Sequence, residues 1–162
     1  MIHPWFYISH SFRENITYSN LKVMNEDEKI KNIADKFNFL DLINSYDKRL
    51  DTQLGMWFDE GINLSMGQWQ KVALARAFAK ESSLYILDEP NASMDSITER
   101  EISSLYKDIL ENKIGIIIAH KFLNIVGFVD EIIILQDGKI IERGNRESLL
   151  REGKFYKKLL GI

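Results

Sequence analysis

Residues 62–95 read INLSMGQWQKVALARAFAKESSLYILDEPNASMD, and the order of features in this stretch decides the fold. Gln68 to Lys80 is strongly helix-forming, with Ala73, Ala75 and Ala77 and no Gly or Pro. The run LYIL at 84–87 is short, apolar and stopped by Asp-Glu-Pro, which predicts a buried strand. Ser65 and Gly67 precede the helix, whose first N–H groups have no partner within it. A hydroxyl and bare amides at such an end suit an anion, although Ser65 taken by itself reads first as a plain helix cap.

At the strand's end stand two adjacent carboxylates, Asp88 and Glu89. A carboxylate fixed there suits a hard cation such as Mg²⁺, which takes one or two protein carboxylates plus phosphate oxygens and water. Asp88 fits that role. Glu89 is expected to point to the opposite side, since extended residues alternate, and could orient or deprotonate a water. The plain alternative is a polar strand end before a turn.

Working outward, 162 residues suit one domain or a core with one attached lobe, and 45% hydrophobic residues can fill a core. A net charge of −3 argues against a dedicated nucleic-acid binder. There is no cysteine, which removes disulfides and thiolate metal sites. IGIIIA at 114–119 and IIIL at 132–135 are strand-sized, far short of a membrane span of roughly 18 apolar residues, and MIHPWFYISH lacks the order of a secretory signal. Any link to a membrane is therefore expected to run through a partner.

Turn chemistry is expected around Arg13-Glu14-Asn15, and Asn25 with Glu28 resembles a capping box opening a helix with Ile30, Ile33, Ala34 and Phe37. Ile102, Leu105, Ile109 and Leu110 mark one face of another long helix, and the run ending at His120 predicts a second buried strand. EIIILQDGKIIER at 131–143 predicts a hairpin, and the tail two short helices split at Gly153. Strand and helix alternate over about 84–144, as in a parallel sheet with covered faces, where ligands gather beyond the carboxyl ends of the strands. Asp88, Glu89 and His120 all lie at such ends, though a lone histidine after a strand is more often structural.

In this order the features resemble the nucleotide-binding domain of ATP-binding cassette (ABC) transporters. LSMGQ (64–68) is similar to the LSGGQ signature, LYILDEP (84–90) to the Walker B strand, and NASMD (91–95) to the D-loop. IIIAH (116–120) ends on the switch histidine, DEIIILQDGKIIERG (130–144) resembles the closing hairpin, and FRENI (12–16) the segment after the Q-loop. Together they span essentially the whole chain. The resemblance implies a P-loop NTPase-like α/β fold: an incomplete parallel sheet with flanking helices, an α-helical signature subdomain and a C-terminal hairpin. It divides the chain into a Q-loop-proximal segment (1–19), the helical subdomain (20–80), a partial core (81–145) and terminal helices (146–162).

What the resemblance implies about function is specific. Two such domains pair head to tail with ATP between them. Leu64, Ser65, Met66, Gly67 and Gln68 would face the γ-phosphate held by the opposite subunit. Asp88 would help hold Mg²⁺, Glu89 would polarise the attacking water and His120 would hydrogen-bond the γ-phosphate. Asp95 would communicate across the seam. The implied partners are a second nucleotide-binding domain and transmembrane domains, with no nucleic acid, at the cytoplasmic face of the plasma membrane. The Trp69-containing helix and FRENI point to an exporter.

The pattern also departs from the family. The 162 residues contain no G-x-x-x-x-G-K-[ST], the Walker A loop that cradles the phosphates. Counting back from FRENI, the Q-loop glutamine is expected near His3 or before Met1, so the chain resembles the latter part of the domain. Without the first strands, the strands at 84–87 and 115–119 should expose apolar surface. Met66 stands where the signature has glycine, and Asn91 and Met94 depart from common D-loop residues. A second expectation is therefore a truncated, non-catalytic or regulatory module. An ABC ATPase of DNA repair or translation is disfavoured by the acidity and the lack of a coiled-coil insertion.

Overall fold

A computed structural model of the chain describes residues 8–56, 60–90 and 96–162. It divides into two compact units after Ala119. The first carries helices α1 (Phe12–Thr17), α2 (Asp27–Lys36), α3 (Leu40–Asn44), α4 (Met66–Phe78) and α5 (Ser96–Leu110), with strand β1 (Leu84–Asp88) before α5 and β2 (Ile114–Ile118) after it. The second carries a hairpin, β3 (Ile132–Gln136) and β4 (Lys139–Gly144), then α6 (Arg146–Glu152) and α7 (Lys154–Leu160).

Two local expectations are corrected. The turn expected at Arg13-Glu14-Asn15 is a helix, α1, because Ser11 and Glu14 form a reciprocal cap. Ser11 Oγ accepts from Glu14 N at 3.2 Å, and Glu14 Oε2 accepts from Ser11 N at 2.9 Å. The capping box expected at Asn25 and Glu28 does not form, and α2 starts at Asp27 without a side-chain cap. Its entry is held from a distance: Arg13 Nη1 donates to Met24 O at 3.0 Å and to Asp27 Oδ1 at 2.5 Å, while Nε donates to Asp51 Oδ1 at 2.7 Å. One guanidinium thus fastens the start of α2 and the 3₁₀ turn Arg49–Asp51 to α1.

The core of the first unit lies where α1, α2 and α4 meet. Phe12, Ile16, Ile30, Phe37, Trp69 and Val72 are essentially inaccessible. Stacking carries the helices onto the sheet, with Phe37 against Phe78 (centroids 5.8 Å apart) and Phe78 against Tyr85 (4.4 Å).

β1 and β2 pair in parallel from Leu84↔Ile114 to Asp88↔Ile118. On the inner face Tyr85 and Leu87 are buried, as the alternation predicts. The opposite face is bare: Leu84, Ile86, Ile114, Ile116 and Ile118 are 47–64% exposed. The expectation of a sheet covered on both faces therefore fails on this side, and the expected exposed apolar surface is present. Parallel strands normally have both faces covered.

In the second unit the hairpin forms as predicted. Asp137 (φ 50°) and Gly138 (φ 74°) both take the left-handed backbone that a two-residue type I′ turn requires. A bulge falls between Ile134 and Leu135. Val126, Leu149 and Tyr156 form the centre of its core, with Phe122, Ile132, Ile134, Leu150 and Leu160 packed around them. The tail splits at Gly153 into α6 and α7. The carboxylate of Glu142 caps α7 from β4, accepting from Phe155 N at 2.8 Å and Tyr156 N at 2.9 Å.

Candidate active site

The LSMGQ turn is a helix start whose anchor is Leu64, 5% exposed. The residue after it, Ser65, is exposed and caps α4. Its Oγ accepts from Gln68 N at 3.3 Å, and Gln68 Oε1 accepts from Ser65 N at 2.8 Å. The plain-cap reading and the anion-site reading of Ser65 are thus compatible, because a hydroxyl that accepts one bond still has a proton to donate. Met66 and Gly67 form the first turn and are half-buried. Among the described residues, a Cβ built on Gly67 would meet nothing within 4 Å, which leaves space beside this residue.

The second group lies at the carboxyl end of β1. Asp88 is the last strand residue and is exposed. Glu89 is half-buried, and its N–H donates to Ile118 O at 2.8 Å, extending the ladder to β2. Its φ is 47°, which corrects the expectation that Glu89 is extended and alternates with Asp88. The strand ends at Asp88, and Glu89 turns in a left-handed conformation before Pro90. Such a backbone is unfavourable for a residue with a Cβ and persists only where the surroundings impose it.

Among the described residues no three acidic or histidine side chains converge as a ready-made metal cage. A hard cation held mainly by phosphate oxygens and water needs no such cage, and an exposed carboxylate at a strand end fits that donor set. His120 is the first residue of the second unit and is exposed. Asp95, with the rest of NASMD, and His3, near the expected Q-loop, lie outside the described residues.

Sequence reasoning missed Gln70. It is 5% exposed, sits between the start of α4 and its apolar body, and its Nε2 donates to the carbonyl of the buried Pro90. α4, which carries Ser65–Gln68 at its start, is thereby tied directly to the turn that carries Glu89. The one available signal was a polar residue within an otherwise apolar set: the buried residues of α4 are Trp69, Gln70, Val72, Leu74 and Ala75.

Comparison with known proteins adds independent observations. Residues 3–92 match the family model described as ABC transporter. The chain is 45% identical over 151 residues to the nisin transport ATP-binding protein NisT of Lactococcus lactis subsp. lactis, covering 92% of this chain and 25% of that protein. It is 41% identical over 151 residues to the subtilin transport ATP-binding protein SpaT of Bacillus subtilis, covering 92% and 24%. A bacterial Atm1-family ABC exporter, solved with ATP bound, superposes with a TM-score of 0.81 at 27% identity, covering 95% of this chain and 26% of that one. The chain spans about a quarter of the length of these relatives.

Proposed function

This chain belongs to the ABC transporter family, as part of an ATP-binding domain similar to those of exporters, and on that premise we propose that it helps bind and hydrolyse ATP at a head-to-tail interface between two such domains, to power transport out of the cell. The observation that carries the reading is the open start of α4. A helix N-terminus with an exposed serine and, among the described residues, no atom within 4 Å of a Cβ at Gly67 offers donors to an anion held by a partner domain.

In this reading Ser65, Gly67 and Gln68, seated by Leu64 and flanked by Met66, face a phosphate held by the partner domain. Phosphoryl transfer needs positioning and charge neutralisation more than covalent chemistry. Mg²⁺, when bound, neutralises charge on the phosphate oxygens, and Asp88 is the residue that would help hold it. Glu89 orients the attacking water and takes its proton, His120 donates to the γ-phosphate, and Asp95 signals across the seam. Transmembrane domains would place the assembly at the cytoplasmic face of the plasma membrane. No helix among the described residues is long and apolar enough to cross a membrane. The division into a helical subdomain at 20–80, a partial core at 81–145 and the flanking segments 1–19 and 146–162 belongs to the same proposal.

A second reading is a regulatory module without turnover of its own. ATPase assays on the chain alone and mixed with an intact ATP-binding domain separate the two. The first reading expects the mixture to turn over ATP faster than the intact domain alone, a gain that Ser65→Asp removes. A mixture no more active than the intact domain would favour the second reading.

A further inference from the structure

Glu89 is held at an unfavourable angle by two backbone fastenings. Its φ of 47° is one that a residue with a side chain rarely adopts, and the following Pro90 restricts it further. On one side, its N–H donates to Ile118 O of β2 at 2.8 Å. On the other, the Pro90 carbonyl accepts from Gln70 Nε2 of α4. Gln70 is nine-tenths buried to make this bond, and its Oε1 has no hydrogen-bond partner among the described residues. A buried amide satisfied at only one end is costly to keep, so the bond to Pro90 is what distinguishes glutamine from an apolar residue here.

We propose that Gln70 is a positioning residue for Glu89: by holding the Pro90 carbonyl it fixes the left-handed elbow that sets the direction of the Glu89 carboxylate. This rests on the reading of Glu89 given above, and it deepens that reading. The member that does the holding is the same helix that begins with Ser65–Gln68. A displacement of that helix start, such as a phosphate arriving there would cause, is transmitted through one rigid turn to Pro90 and hence to Glu89. In the head-to-tail arrangement those two ends of the link serve different pockets, so Gln70 connects the two pockets within a single chain.

The test uses Gln70→Met, which keeps length and removes the donor, and Gln70→Glu, which keeps shape and can only accept when ionised. Hydrogen–deuterium exchange on the full chain reads the Glu89 amide, with Leu74 and Ala75 amides as a control that α4 is intact. The same variants, with the chain joined behind a segment that supplies a Walker A loop so that the pocket holding Glu89 is complete, are assayed for kcat and for KM for ATP. The proposal expects about tenfold faster exchange at Glu89 with the α4 control unchanged, and kcat about tenfold lower with KM for ATP within twofold. Wild-type exchange at Glu89 together with wild-type kcat would overturn it, as would faster exchange with unchanged kcat, which would leave Gln70 a merely structural tie. If one variant fails to fold, the other decides. If wild type shows no turnover, or Glu89→Gln does not affect it, the ATPase reading fails, and exchange alone decides whether Gln70 holds the elbow.

Discussion

Arg76 of α4 grips Asn15 of α1 through two donors: Nε to the Asn15 carbonyl at 2.9 Å and Nη2 to Oδ1 at 2.6 Å. Asn15 is fully buried, and its own amide donates to the carbonyls of Ile8, His10 and Ser11 at 2.9–3.0 Å. The segment before α1 is therefore fastened to the helix that begins with the LSMGQ turn. Asn15→Leu strands these carbonyls and should cost about 2–4 kcal/mol. Burial pulls the Arg76 guanidinium down to about 10, so the fold holds its charge at a cost that Arg76→Met removes. The loss from Arg76→Met should therefore be the smaller of the two, as measured by urea unfolding at neutral pH. The reverse order would mean that the charge itself stabilises the fold.

Ser65 can be separated into cap and phosphate donor. Ser65→Ala should cost about 1 kcal/mol through loss of the cap. Ser65→Asp keeps an acceptor for the Gln68 N–H, so unfolding should stay within about 0.5 kcal/mol of wild type. The same change sets a negative charge where the proposal places phosphate, and should abolish the gain in turnover when the chain is mixed with an intact domain. An active Ser65→Asp mixture would place the phosphate elsewhere.

In the second unit, stability should depend on Glu142 in a defined pH range. Desolvation pushes its carboxyl up, but the backbone N–H groups of Phe155, Tyr156 and Lys154, with Lys157 nearby, outweigh it and hold the carboxyl below its ordinary value. The ionised form is thus favoured by folding. Its contribution is complete above the usual glutamate range near pH 4.5 and disappears as pH falls through the lowered value. Chemical unfolding from pH 7 to pH 3 should show Glu142→Gln less stable than wild type at pH 7, with the gap closing in acid. A constant gap would assign the effect to packing.

The bare face of β1 and β2 makes a prediction about association. Replacing Ile86 with Lys and Ile116 with Glu sets opposite charges side by side on exposed positions that are paired in register. The double variant should sediment as a smaller species and bind less of a hydrophobic dye, with its unfolding midpoint little changed. Equal dye binding by both proteins would mean that this face is not the sticky surface.

Most of the fold was legible because its signals are local. The alanine-rich α4, the LYIL strand, the Asp137-Gly138 hairpin and the break at Gly153 each follow from backbone preferences within a few residues. The start of α2 was not legible, because it is set by Arg13, which reaches Met24 and Asp27 from another helix. α1 was not legible although Ser11 and Glu14 stand at capping spacing, because Arg13-Glu14-Asn15 also suits a turn and the reciprocal cap closes only on folding. At the candidate site, residue types and order could be read from the chain, but the left-handed Glu89 and the Gln70–Pro90 bond could not. Both depend on elements that meet only after folding.

The emptiness around Gly67 has a consequence of its own. Among the described residues, a methyl group there would touch nothing within 4 Å. On the proposed function, what benefits from this space is the phosphate brought by the partner domain. A screen that ranks variants by yield or melting would pass Gly67→Ala as harmless or even helpful, while a screen for work done by the assembled machine would reject it. On the proposed function, one carbon atom at this position separates a protein that merely survives from one that performs.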